Sequence, residues 1–261
     1  MKINRLLIRE MYWMIRYAHR ELNWKRKLQG WGAQIRAWQR FWNSYRAYVE
    51  LAGPAERQSL WNFLYPCLGD DVSDTPIEPV YFYQDSWAFD RIVRERPAFH
   101  VDIGSHHKFV ALLSKVVPLT MVDIRPLSLP MDTITFRKGS ILALPYEDGS
   151  VPSVSSLCVV EHIGLGRYGD PLDPKGSEKA VAELKRIVQP GGDLYLSVPL
   201  CDVPRTYFNA HRAFAESCIL EWFKPFVVTD AQYIYRGKFG KVQGNGFGIG
   251  CYHLKRISSG G

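Results

Sequence analysis

From Ala98 onward the chain alternates short β-rich runs with helical ones, and no other feature of the 261 residues narrows the fold so far. Strands are expected over Ala98–Ile103, Leu119–Ile124, Ile134–Lys138, Val154–Val160, Asp193–Val198, Phe226–Tyr235 and Gly248–Ile257. Helices are expected over His107–Val117, Ser177–Val188 and Ala213–Phe223, with a turn at Pro190-Gly191-Gly192. Strand-helix alternation of this kind buries a mostly parallel sheet between helices on both faces.

Two further stretches precede it. Residues 1–53 read as a helical segment ending at Gly53-Pro54, and residues 54–97 as a connector. Residues 1–52 lack proline and repeat apolar residues at Trp24, Leu28, Trp31, Ile35, Trp38, Trp42, Tyr45 and Val49, the 4-3 spacing of a heptad seam. Gly30 and Gly32 fall inside it and are candidate breaks. The net charge of +7 is concentrated there, with 11 Lys or Arg against 3 Glu, so the rest of the chain is close to neutral. That asymmetry argues against a nucleic-acid surface on the main domain. Membrane-surface contact and self-association compete as roles for residues 1–52 beside plain packing on the main domain. No apolar run is long enough to span a membrane, and no signal peptide is visible. The five cysteines, Cys67, Cys158, Cys201, Cys218 and Cys251, are scattered. The expectation is a cytoplasmic protein with reduced thiols, with a peripheral membrane contact as the alternative.

In a parallel sheet, ligands sit beyond the carboxyl ends of the strands where the strand order reverses. The first strand there ends in Asp102-Ile103-Gly104-Ser105, where a glycine permits close backbone approach. The second ends at Asp123-Ile124, placing a carboxylate where it can accept both hydrogens of a ribose diol. Then follow Gly139-Ser140-Ile141-Leu142-Ala143-Leu144-Pro145-Tyr146, a strand leading to Glu161-His162, and the helix-turn-strand Leu184 to Pro199.

This order resembles the class I S-adenosylmethionine-dependent methyltransferases over residues 98–200. The resemblance implies a Rossmann-like domain at 98–257 with S-adenosylmethionine as cofactor. It implies that Asp102 and Gly104, with Ser105 and His106, shape the loop under the methionine part. By the same resemblance Asp123 and Ile124 hold the ribose, Ser140 and Ile141 flank the adenine, and Glu161 orients the cofactor or its loop. The superfamily usually has further glycines where His106 and Lys108 stand. Val160 to Pro174, with Phe208-Asn209-Ala210-His211-Arg212, looks like a narrower subgroup often found among bacterial cell-surface polysaccharide genes. That implies a saccharide or glycan acceptor.

Methyl transfer to a hydroxyl needs alignment and removal of one proton. His162 is the first candidate base, and Asp170 and His211 are the others. Tyr168, Asp173 and Arg212 are candidate acceptor contacts: a carboxylate accepts from diols, an aromatic face stacks, and a guanidinium takes an anion. Each also has a plain reading as loop or helix-start chemistry. Glu161, His162, Asp170, Asp173 and His211 could ligate a metal, but no tight spacing asks for one, and magnesium stays a minor alternative. No Gly-x-Ser-x-Gly elbow is present. Gly244 to Gly250 imitates a nucleotide loop but precedes a strand-like run, so it reads as a loop. The expected activity is an O-methyltransferase acting on a sugar hydroxyl. Its rivals are a non-catalytic scaffold of a glycan assembly complex and an RNA methyltransferase.

Overall fold

The computed structural model describes residues 24–60 and 63–258. Residues 1–23 of the expected helical segment, Trp61-Asn62 and the closing Ser259-Gly260-Gly261 therefore lie outside the described residues. The chain forms two compact units that part between Pro76 and Ile77, within the stretch read as a connector.

In the first unit, α1 spans Trp24–Leu51 without interruption, so Gly30 and Gly32 do not break it. A glycine costs about 1 kcal/mol in a helix interior, which a helix of this length absorbs. Trp38, Phe41, Trp42 and Tyr45 form a run of ring contacts along it, with Trp38 and Trp42 stacked at 6.2 Å. The short α2, Pro54–Leu60, follows. Its Arg57 donates to the carbonyls of Ala52 and Glu50, satisfying acceptors left open at the end of α1. No described helix is long and apolar enough to cross a membrane.

The second unit opens with α3, Pro79–Glu95. Its signals are local: the Glu78 side chain accepts from the Tyr81 amide, Pro79 starts the helix, and Arg96 closes it in the left-handed region. Gln84, Trp87, Ala88 and Ile92 bury one helical face. The unit continues with β1 (His100–Ile103), α4 (His107–Leu113), β2 (Leu119–Asp123), β3 (Ile134–Lys138) and β4 (Val151–Leu157). Then come α5 (Gly176–Ile187), β5 (Val188–Leu200), β6 (Arg205–Tyr207), β7 (His211–Ala213) and α6 (Glu216–Trp222). The last strands are β8 (Val227–Tyr235), β9 (Lys238–Gly240) and β10 (Gly248–Lys255).

Eight strands form one sheet in the order β3-β2-β1-β4-β5-β10-β8-β9. The pairs from β3 through β5 are parallel, while β10 runs antiparallel to both its neighbours. The order reverses between β1 and β4, so the carboxyl ends of β1, β2 and β4 define the crevice. Side chains alternate between two cores: Leu194, Leu196 and Val198 of β5 join Leu184 and Ile187 of α5, whereas Tyr195 joins Trp87 and Ile92 of α3 and Phe109 of α4.

Three local expectations change. Pro190-Gly191-Gly192 is not a separate turn but an irregularity inside β5, where residues 188 to 193 face only 151 to 153 of β4. The fourth strand stops at Leu157 rather than Val160, because Cys158 takes φ +53 and Val160–His162 forms a single 3-10 turn. His211 and Arg212 lie in β7 rather than at a helix start: they pair with Tyr207 and Thr206 across a tight hairpin whose Asn209 takes φ +59.

Candidate functional site

A cavity of about 700 Å³ opens at the crevice. Its wall includes Gly104, Ser105 and His106 after β1, Asp123 and Ile124 after β2, and Ser140 and Ile141 after β3. His162, Tyr168 and Asp170 come from the segment after β4. Ten of the expected residues thus converge. Asp102, Glu161, Asp173, His211 and Arg212 do not line it.

The β1 loop is set from beneath. The Asp102 carboxylate is fully buried and accepts from the Ser105 amide at 3.0 Å and the Ser155 hydroxyl at 2.5 Å. Ser155 in turn meets His100 Nε2 at 2.9 Å, and His100 Nδ1 meets the Ser153 hydroxyl at 2.8 Å. Because Ser155 spends its proton on Asp102, His100 must donate from Nε2 and accept at Nδ1. Burial holds His100 neutral, with its pKa lowered to about 3, and raises Asp102 to about 6. Asp102 therefore acts on a ligand only through the loop it pins. Gly104 sits at φ +69, and a Cβ there would stand 3.3 Å from Val159 and 3.7 Å from Asp123 Oδ2. The missing side chain is part of the cavity.

Asp123 Oδ1 accepts the Arg125 amide at 2.8 Å, which fixes the carboxylate while Oδ2 stands on the Gly104 side. The β3 edge is held by α5: Glu183 accepts the Leu144 amide, and Arg186 donates to the carbonyls of Leu144 and Tyr146. This clamp ties the Leu144-Pro145-Tyr146 stretch to α5. His106 Nδ1 is buried without a hydrogen-bond partner at the cavity wall, and its ring lies 4.8 Å from that of Tyr81.

After β4, His162 Nδ1 lies 2.6 Å from the Ala210 carbonyl. A carbonyl only accepts, so Nδ1 carries the hydrogen and Nε2 carries the lone pair. Burial lowers the His162 pKa; the Ala210 bond opposes this, and the charge of Arg167 adds to it. The imidazole is thus neutral at neutral pH and able to take a proton. Glu161 lies behind it, 2% exposed, with Oε1 3.7 Å from His162 Nε2 and Oε2 unpartnered. Burial pushes Glu161 up to about 8, so it holds its own proton near neutrality.

The remaining expected residues are engaged in the loop itself. Asp170 accepts from the amides of Gly164 and Tyr168. Asp173 accepts from the Lys175 amide and pairs with Lys179 at 2.7 Å. Arg212 is buried and donates to the carbonyls of Ile163 and Asp173 and to Ser177. Gly164 takes φ +81, and a Cβ there would collide with the Asp173 carbonyl, so the loop closes tightly on itself. Replacing Arg212 with methionine should cost about 2 kcal/mol, because the part-buried carbonyls of Ile163 and Asp173 and the buried Ser177 hydroxyl each lose a charged donor. Thermal melting checks this, and an unchanged Tm would contradict the structural role. His211 packs between Tyr207 and Phe247 at 4.9 and 5.6 Å.

Sequence reasoning missed Tyr81, Arg125 and Cys158 of the cavity wall. Tyr81 arrives on α3, which Gln84 locks in place by accepting from the Ser197 hydroxyl and the Cys158 thiol. The capping pattern Glu78-Pro79 was the one signal for that helix. The Gly244 to Gly250 run leads into β10 and not into a helix, as its sequence suggested.

The family model described as Caenorhabditis protein of unknown function, DUF268, matches residues 146–228, less than half of the chain. No curated protein matches the sequence. Among solved structures, the (4+2)-cyclase SpnF is similar at 11% identity and TM-score 0.50, covering 67% of this chain and 82% of its own. The N-methyltransferase NodS from Bradyrhizobium japonicum WM9, in complex with S-adenosyl-L-homocysteine, is similar at 15% identity and TM-score 0.50, covering 73% and 91%. The same enzyme in a second structure gives 15% and 0.50 over 69% and 98%. At such identities the likeness concerns the fold: this chain has the mostly parallel, Rossmann-like methyltransferase fold.

Proposed function

We propose that the protein is an S-adenosylmethionine-dependent methyltransferase that methylates a hydroxyl of a saccharide or glycan precursor. The observation that carries the cofactor is the cradle at the strand ends: Gly104 without a Cβ, facing the fixed Asp123 carboxylate across the cavity. The unpartnered His106 Nδ1 in that wall suits a polar ligand group, so His106 in place of a glycine does not argue against the cofactor. NodS, which shares the fold, was crystallised with the demethylated cofactor. Asp123 would take the ribose, Ile124, Ser140 and Ile141 would flank the adenine, and the Gly104 loop would lie under the methionine part. Bound there, the cofactor supplies an electrophilic methyl group. His162 Nε2 takes the proton of the attacking hydroxyl, and its Nδ1 bond to Ala210 keeps the ring in the required tautomer. The saccharide acceptor rests on the subgroup resemblance and on the Tyr168 ring in the cavity wall.

Calorimetric titration of the full chain with S-adenosylmethionine and S-adenosylhomocysteine tests the reading. Binding in the micromolar range, near −8 kcal/mol, is expected. Absence of heat and of any melting shift for both ligands would leave the non-catalytic scaffold as the better account.

A further inference from the structure

We infer that the acceptor of this site carries an anionic group, a phosphate or carboxylate, which Arg125 and Arg167 hold at the cavity mouth beside Tyr168. The inference rests on the methyltransferase reading for the word acceptor, but not for the charge it assigns.

Both guanidinium groups pack on one ring: Arg125 Cζ lies 4.4 Å and Arg167 Cζ 5.1 Å from the centre of Tyr168. Tyr168 lines the cavity together with Arg125. Stacking on an aromatic face orients a guanidinium and leaves its in-plane N–H groups free for an oxyanion. Two such cations on one ring repel each other, so the arrangement gains most when an anion lies between them. Arg125 is 62% exposed, and its nearest carboxylate, Asp123, is 4.0 Å away, beyond hydrogen-bond reach. Arg167 is exposed and spends one donor on the Ala210 carbonyl at 3.1 Å. Ala210 also receives His162, so Arg167 stands next to the candidate base.

Neither guanidinium has a carboxylate within hydrogen-bond distance: Asp123 stands 4.0 Å from Arg125, and Arg167 forms no ion pair among the described residues. Asp170 has both oxygens on loop amides, Asp173 is paired with Lys179, and Asp202 accepts the Gly246 amide. A neutral sugar needs acceptors for its hydroxyl hydrogens, and these carboxylates already spend part of their accepting capacity on the protein itself. The field of Arg167 also reaches both neighbouring imidazoles: after burial, its charge is a further cause of the lowered pKa of His162 and of His211. The exposed rings of Tyr207 and Phe247, on either side of His211, offer apolar faces for the rest of the molecule.

The test uses the full chain with S-adenosylhomocysteine present and three probes: glucose 1-phosphate, glucuronate and methyl glucoside. Calorimetry should show the two charged probes binding about tenfold or more tighter than the neutral glucoside, with the effect shrinking as ionic strength rises. The stronger of the two charged probes tells phosphate from carboxylate. Arg167→Gln should weaken the charged probes about tenfold, Arg167→Lys should weaken them less, and Arg94→Gln, on the last turn of α3, should not. Equal affinity for the glucoside, an unaffected Arg167→Gln variant, or no binding of any probe overturns the inference. If S-adenosylhomocysteine itself fails to bind, the methyltransferase reading falls, and the same probes titrated into the free protein still judge the charge assignment.

Discussion

Replacing His162 with glutamine is expected to lower kcat by roughly 10²–10⁴-fold, the usual contribution of a positioned general base. Glutamine keeps much of the volume but offers no basic nitrogen where Nε2 stands. The effect should fall on kcat, while S-adenosylhomocysteine affinity changes little. The pH profile gives a second readout. Protonated His162 cannot accept a proton, so activity falls on the acid side. Burial disfavours the imidazolium, so that limb lies below the ordinary histidine value of about 6.5. In the glutamine variant the acid limb assigned to His162 disappears. A variant with kcat within threefold of the parent would remove His162 from the chemistry, leaving Asp170 and His211 as the other candidates. Asp170 enters that contest poorly, since both its oxygens hold loop amides.

The second large effect is expected at Asp123. A carboxylate taking two hydroxyl hydrogens contributes about 1.5–3 kcal/mol per bond, so Asp123→Ala should weaken S-adenosylhomocysteine by roughly 10²–10⁴-fold. The substitution also frees the Arg125 amide, now 2.8 Å from Oδ1, and so loosens the loop after β2. Asp123→Asn separates the two contributions: its Oδ1 can still accept the Arg125 amide, but an NH2 donor then stands where Oδ2 met the ligand, so the loop is kept while S-adenosylhomocysteine affinity falls nearly as far as in Asp123→Ala. Melting the ligand-free variants measures the loop effect alone. Affinity within twofold of the parent in Asp123→Ala would show that the ribose is held elsewhere, and with it the cradle reading of Gly104 would fail.

Much of the β-sheet was legible because its signals are local. Ile134–Lys138 is a strand with the expected bounds, and the helix read at Ser177–Val188 spans Gly176–Ile187. In both, periodicity over a few residues reports which face is buried. The elements that were misread are those whose partners are distant or whose backbone departs from the regular regions. α3 was hidden in an aromatic stretch between prolines, and its burial depends on β4, β5 and β8, reached through Gln84 and through Trp87 and Arg91 on Asp230. The β6–β7 hairpin turns on Phe208-Asn209, a pair without the usual Asn-Gly signature.

The same division runs through the site. The alternation from Ala98, the glycine after β1 and the carboxylate ending β2 were enough to place the crevice, because chain order and right-handed crossovers leave few sheet topologies. Sequence could not say which polar side chains are free to meet a ligand. Asp170 as a candidate base and Asp173 and Arg212 as acceptor contacts look equally free on paper, yet each is bound to the amides and carbonyls of its own loop or its neighbour. Arg125, unremarked in the chain, stands at the cavity mouth beside Tyr168. Free and occupied donors differ only by partners that are far apart in sequence, such as Arg212 and Ile163, and folding alone brings those partners within hydrogen-bond distance.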